Sequence, residues 1–203
     1  MTRMMAKCSI KCSHPAATHS LTRNTVTIFC SQVHVRKPDS VLNWLDELKP
    51  GEVPVSFLDI NRYLFEPNRM VICAEPKIEH ESHEYGALRF TLDGKDAVFR
   101  QAKTTPKKIG QFVTLWKRDT PTSEISPFDS EDEIELFVVA TCNASQHGVF
   151  LFDREILTRK GVVSINGKGG KRAMRVYAPW DEPHSKQAIR TQVWQLDCFH
   201  SLD

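Results

Sequence analysis

LRFTLDGKDAVFRQAK, residues 88–103, sets the reading of the whole chain. Leu88, Phe90 and Leu92 alternate with Arg89 and Thr91, and after Asp93, Gly94 and Lys95 the alternation resumes from Ala97 to Lys103. A period of two is the side-chain repeat of a strand, and Asp-Gly supplies the backbone freedom a tight turn needs. The stretch predicts an antiparallel hairpin. On its second strand Arg100 shares a face with Val98 and Ala102, while Gln101 and Lys103 share the other with Ala97 and Phe99.

Upstream, Phe57, Ile60 and Leu64 recur at helical spacing between Pro54 and Pro67, which predicts a helix there. An earlier helix is expected from Asp39, through Val41, Leu42, Leu45 and Leu48, to Pro50 and Gly51. Residues 1–36 contain Arg3, Lys7, Lys11, Arg23 and Arg36, no acidic residue and no sustained apolar period. They are expected to form a flexible extension to a domain over 37–203. Cys8, Cys12, His14 and His19 lack the second ligand pair of a zinc site, so no metal is expected there.

Downstream, Thr105 and Pro106 have the character of a cap and first helical position, with Ile109, Phe112, Val113 and Trp116 along one side of a helix. The β-branched and aromatic residues of 111–116 also allow a strand. Apolar runs at 134–141 and 148–152 predict strands, 154–160 a short helix, 172–177 a strand and 185–196 a closing helix with Ile189, Val193 and Leu196 on its apolar side. These elements together predict a single α/β (α+β) domain with a central mixed sheet flanked by helices.

The chain has 203 residues, 40% hydrophobic and 26% charged, which is globular composition and excludes collagen-like and wholly disordered classes. No run approaches the 18 or so apolar residues of a membrane-spanning helix, so no membrane insertion is expected. Six scattered cysteines, without the pattern of a secretory signal, lead us to expect the cytoplasm.

The net charge of +2 hides segregation. Residues 86–118 carry eight bases against Asp93 and Asp96; residues 119–135 carry seven acids and no base; residues 154–176 carry seven bases against Glu155. Arg100, Lys103, Lys107 and Lys108 crowd the end of a strand and the start of the expected helix, where cations are unfavourable unless an anion is bound. The competing reading has Arg100 paired with one of the preceding glutamates and the lysines solvated. A second cluster, Lys168-Gly169-Gly170-Lys171-Arg172 and Arg175, combines glycines that permit close approach to an anion with four bases. It is not a P-loop, whose spacing occurs nowhere in the chain. If both clusters serve one ligand, Arg100, Lys103 and Lys108 must face one cleft with Arg172 and Arg175.

A metal-dependent nuclease would need carboxylates for magnesium and a lysine at the attacked phosphate. Lys103 fits the lysine and Glu84 offers one carboxylate, but Gln101 puts a neutral amide where Glu-x-Lys would put the other. Catalysis through Glu84, Gln101 and Lys103 is therefore the alternative reading, and magnesium the cofactor it would require. Otherwise no cofactor is expected.

The stretches FRQAKTTPKKIGQFVTLWKR (99–118) and GKRAMRVYAPWDEPHSKQAIRTQVWQ (170–195) resemble the two signature regions of the MepB-like family, and ISPFDSEDEIELFVV and HGVFLFDREILTRKGVVS follow its pattern between them. The resemblance runs over about residues 39–200. It implies a restriction-endonuclease-like fold in a bacterial cytoplasmic protein, related to one encoded beside a multidrug efflux pump and its repressor, and no settled activity. The family pattern falls on Tyr85, Arg100, Lys103, Thr105, Pro106, Lys108, Gly110, Gln111 and Trp116, then on Arg172, Arg175, Tyr177, Trp180, Gln187, Thr191, Gln192 and Trp194. We therefore expect a nucleic-acid or phosphate-binding domain on a nuclease-like scaffold without catalysis. Arg100, Lys103, Lys108, Lys171, Arg172, Arg175 and Gln192 would hold the ligand, and Tyr85 and Trp180 would stack on bases. A third class, a partner of an efflux pump or its regulator, would use the acidic stretch 119–133.

Overall fold

A computed structural model of the chain describes residues 53–118, 120 and 122–202. The expected extension, the helix from Asp39 and the Cys8/Cys12 cluster lie outside the described residues. The first element among the described residues is helix α1, Val55–Ile60, which continues as a wider π turn over Asn61–Phe65. Its i, i+3 and i+7 pattern works as expected: Phe57, Ile60 and Leu64 are buried.

Among the described residues the large sheet has six strands. In chain order they are β1 (Lys77–Ile78), β2 (Leu88–Leu92), β3 (Lys95–Gln101), β8 (Leu136–Cys142), β9 (His147–Asp153) and β11 (Phe199–Ser201), and they neighbour one another in that same order. The predicted hairpin is β2–β3, with Leu88 opposite Phe99 and Leu92 opposite Lys95. Asp93 and Gly94 both have positive φ in its turn. Every neighbouring pair is antiparallel except β3–β8, which runs parallel with Gln101 beside Ala140.

Alternation along these strands divides the core in two. On one face Leu88, Phe90, Ala97, Phe99 and Val138 pack against α1, where the Phe57 ring meets Phe90 at 4.9 Å and Phe99 at 5.2 Å, both edge to face. Such contacts are worth about 0.5–1.5 kcal/mol beyond burial. On the other face Val98, Phe137, Val139, Phe150 and Phe152 pack against Val113, Leu115, Leu157 and Val176. That second layer holds a three-stranded antiparallel sheet, order β10-β5-β4, built from β4 (Lys103–Thr105), β5 (Lys108–Thr114) and β10 (Ala173–Val176). A minor pair, β6 (Trp116–Lys117) with β7 (Ser126–Pro127), follows β5. Helix α2, Arg154–Arg159, is capped by Asp153, whose carboxylate accepts from the Ile156 amide; helix α3 spans Lys186–Leu196.

Three expectations are corrected. The segment from Thr105 is not a helix: residues 103–114 form the β4–β5 hairpin, with Pro106 in its turn. Helix α3 has the expected length but not the expected inner side. Ile189, Val193 and Leu196 are exposed, while Gln195 is fully buried and Trp194 packs on the core. The third is an omission, strand β11, which pairs with β9 where Gly148 lets the Phe199 ring lie directly on the backbone. No described helix is long and apolar enough to cross a membrane.

Candidate anion-binding cleft

The β4–β5 turn, the loop after α2, β10 and the first turns of α3 enclose a cavity of about 610 Å3. Lys107, Lys108, Lys160, Lys171 and Arg175 line it together with His184, and among the described residues no aspartate or glutamate does. Among the described residues, Lys107, Lys108, Lys160 and Lys171 enter no ion pair. Like charges gathered in a concave wall raise a positive potential that an anion would relieve. The start of α3, at Ser185, adds the partial positive charge of free backbone N–H groups on the same cavity wall.

Each lysine is placed by a specific local device. Gly110, the third residue of β5, has φ +76°, and a Cβ there would come within 2.6 Å of the Val176 carbonyl oxygen and the Tyr177 ring. Only glycine lets the turn bearing Lys107 and Lys108 lie this close to β10. The Arg175 guanidinium then fastens the turn: Nη1 donates to the carbonyls of Gly110 (2.8 Å), Lys108 (3.3 Å) and Ile109 (3.4 Å), and Nη2 donates to Thr105 Oγ1 (2.9 Å). Arg175 thus acts as a positioning residue. Lys160 caps the C-terminus of α2 and sits 5.4 Å from the Trp194 ring centroid.

Helix α3 is gripped through its glutamines rather than through an apolar stripe. Gln195 Oε1 accepts from the Tyr177 amide and its Nε2 donates to the Arg175 carbonyl, at 2.9 and 3.0 Å. Gln192 Nε2 donates to the Ala178 and Asp181 carbonyls, at 2.9 and 2.8 Å. Gln192 is therefore committed to the scaffold.

The loop leading to Lys171 is organised by Asp129. Its Oδ2 accepts from Ser164 Oγ (2.5 Å) and the Gly167 amide (2.8 Å), and its Oδ1 from the Glu131 amide (3.1 Å). These donors, Ser164 first, hold the carboxyl well below the usual carboxylate range. A depressed folded pKa contributes stability that is present in full above the unfolded value of about 4 and is lost as pH falls toward the folded one. We expect Asp129→Asn to lower the urea midpoint at pH 7, and the gap from the parent protein to narrow at pH 3. An unchanged gap would show that the charge is not what braces the loop.

Of the bases singled out in the sequence, Lys107, Lys108, Lys171 and Arg175 meet at this cleft. Arg100 does not. It is 1% exposed, with Nη2 2.5 Å from Glu79 Oε2 and Nη1 donating to the Phe99 carbonyl at 2.9 Å. Pairing with a preceding glutamate, the competing reading, is the observed arrangement, because β3 is buried on both faces and Arg100 lies on the one it shares with Val98. Lys103 faces Glu84 instead, 3.2 Å away, with its ammonium 4.4 Å from the Tyr85 ring centroid. Arg172 is exposed and lines no part of the cleft. Of the five residues expected in one cleft, Lys108 and Arg175 line it, joined by Lys171, whereas Arg100, Lys103 and Arg172 do not. Gln101 lines a separate cavity of about 180 Å3 together with Asp59 but not with Glu84 or Lys103, and among the described residues no group of three His, Cys, Asp or Glu side chains gathers to hold a metal ion. In the acidic stretch, Asp129 and Asp132 are turned to internal work, the latter paired with Lys117 at 2.5 Å.

Lys160 and His184 were not singled out as ligand residues. Neither carries a local sequence signal, since α2 and the start of α3 are brought to β10 only by the tertiary fold. Trp180 lines an adjoining cavity with Lys108 and His184.

A family model described as MepB-like matches residues 79–201. A solved structure, the crystal structure of MepB, is 30% identical in sequence, with a TM-score of 0.61 over 73% of this chain and 97% of that one. No curated protein matches the chain.

Proposed function

Since the chain belongs to the MepB-like family, we propose that it binds nucleic acid through phosphates held in the lysine cleft, and that it binds rather than cleaves. The observation that carries this reading is a concave wall with four lysines that enter no ion pair, Arg175 and, among the described residues, no carboxylate. Lysines act as point charges on mobile stems, which suits a backbone whose phosphates must be held whatever the base sequence. A restriction-endonuclease-like scaffold is part of the same proposal, supported by the central mixed sheet with its parallel pair. So is a cytoplasmic location, where nucleic acid would be met.

Fluorescence anisotropy of a labelled single-stranded oligonucleotide across a salt series tests the reading. Each phosphate neutralised on a single strand contributes a slope of about −0.7 in log affinity against log salt. Lys171→Ala and Lys108→Ala should each weaken binding and make the slope shallower by roughly one contact. A flat salt dependence, or lysine variants that leave the slope intact, would remove the cleft from the interface. Magnesium-dependent cleavage abolished by Lys103→Ala would replace binding with hydrolysis at the Glu84–Lys103 pair.

A further inference from the structure

Beside the lysine cleft lies a second cavity of about 430 Å3, and the two share Lys108, Ile109 and His184 as a common wall. Their chemistry is opposite. The second cavity is bordered by Trp180, Asp181 and Glu182. A ligand spanning both must carry negative charge at one end and, across that wall, a group that donates hydrogen bonds to carboxylates.

The two side-chain amides of this cavity, Gln111 and Asn143, are already occupied. Gln111 Nε2 donates to Thr104 Oγ1 and to the Cys142 carbonyl, and its Oε1 accepts from Thr141 Oγ1. Asn143 Nδ2 donates to Gln146 Oε1, while its Oδ1 accepts from the Ser145 and Gln146 amides. Asp181 differs: its Oδ2 accepts from the Ala178 amide at 2.7 Å, and no described donor reaches Oδ1. Burial raises the Asp181 pKa despite that amide and the charge of Arg175, the behaviour of a carboxylate short of donors. Trp180 supplies a flat apolar surface, its ring fixed by an edge-to-face contact with Phe199 at 5.5 Å. A planar ring with an amino group fits these two side chains together.

We infer that the second cavity takes one unpaired nucleobase bearing an exocyclic amino group, stacked on Trp180 and donating to Asp181, while the phosphates of the same strand lie in the lysine cleft. The inference rests on the nucleic-acid reading and adds base selectivity to it. Carboxylates accept from the amino group of cytosine, whereas thymine presents a carbonyl oxygen at that position and would meet like polarity. Glu182, exposed at the rim, biases the chamber the same way.

Competition between oligo-dC and oligo-dT of equal length and charge, measured by anisotropy on the full chain at one salt concentration, separates the two layers. Oligo-dC should bind about tenfold more tightly than oligo-dT. Asp181→Asn keeps an oxygen for the Ala178 amide but turns an acceptor into a donor, so it should bring the ratio to one or invert it while leaving the salt slope unchanged. Equal binding of both oligomers by the parent protein, with Lys171→Ala still weakening each, would overturn base selection and leave phosphate binding standing. An Asp181→Asn variant that weakens both equally would show a structural role instead and likewise overturn it. If neither oligomer binds, both readings fail.

Discussion

Glu79→Ala is expected to destabilise the fold by about 3–5 kcal/mol, the range for removing one member of a buried ion pair. The Arg100 guanidinium is 1% exposed, and burial lowers its pKa against the opposing pull of Glu79, so desolvation outweighs the partner's attraction even with that partner in place. Its Nε already lacks a partner among the described residues. Glu79 also holds Arg89, with Arg89 Nε at 2.5 Å from Oε1, so its loss leaves two guanidinium groups near each other without an anion. Urea unfolding followed by circular dichroism measures the loss. Combining Glu79→Leu with Arg100→Met should recover most of it, because an apolar pair of similar volume needs no compensation. A single-variant loss below about 1 kcal/mol would mean that water reaches Arg100 when Glu79 is gone.

Arg175→Ala should weaken oligonucleotide binding by about tenfold or more, although its guanidinium is spent on the protein. Four hydrogen bonds from this one side chain close the β4–β5 turn, and hydrogen bonds to charged groups are worth about 1.5–3 kcal/mol each at most. Without them the turn loses its fixed distance from β10, and Lys107 and Lys108 lose their aim. Arg175→Lys should rescue little, since an ammonium cannot span three carbonyls and a hydroxyl in one plane. Combining Arg175→Ala with Lys108→Ala should cost less than the sum of the two, because Lys108 acts through the turn that Arg175 holds. Strict additivity in anisotropy titrations would show that Arg175 contributes charge alone.

The parts of the fold that could be read from sequence are those in which local pattern and burial agree. Strands β2 and β3 alternate and turn on Asp-Gly; β8 and β9 are apolar runs; α1 has its apolar residues one turn apart. Strand β5 misled because Thr-Pro imitates a helix start and Ile109, Phe112, Val113 and Trp116 fall at helical intervals. The structure uses the other period, burying Gln111, Val113 and Leu115, and Gln111 can be buried because Thr141 and the Cys142 carbonyl satisfy its amide. The same substitution of satisfied amides for apolar side chains inverted α3. Gln192 and Gln195 face inward because the backbone of 175–181 offers partners that no sequence window reveals. Lys108, Lys171 and Arg175 were identifiable from charge clustering beside glycines. Arg100 was not separable from them, since its fate depends on Glu79, twenty-one residues earlier in the chain and on a different segment.

The parallel seam between β3 and β8 bears on the order in which the sheet can assemble. Hairpins β2–β3 and β8–β9 pair neighbours in sequence and can close within microseconds. Their union must wait until residues 102–135 have been drawn into a loop, an entropic cost that no contact offsets until the seam registers. During that interval Val98, Phe99, Val138 and Val139, all buried at the seam in the finished molecule, lie along two open strand edges. The vulnerable moment of this chain is therefore the meeting of two preformed halves, when another molecule's hairpin offers the same edge as its own.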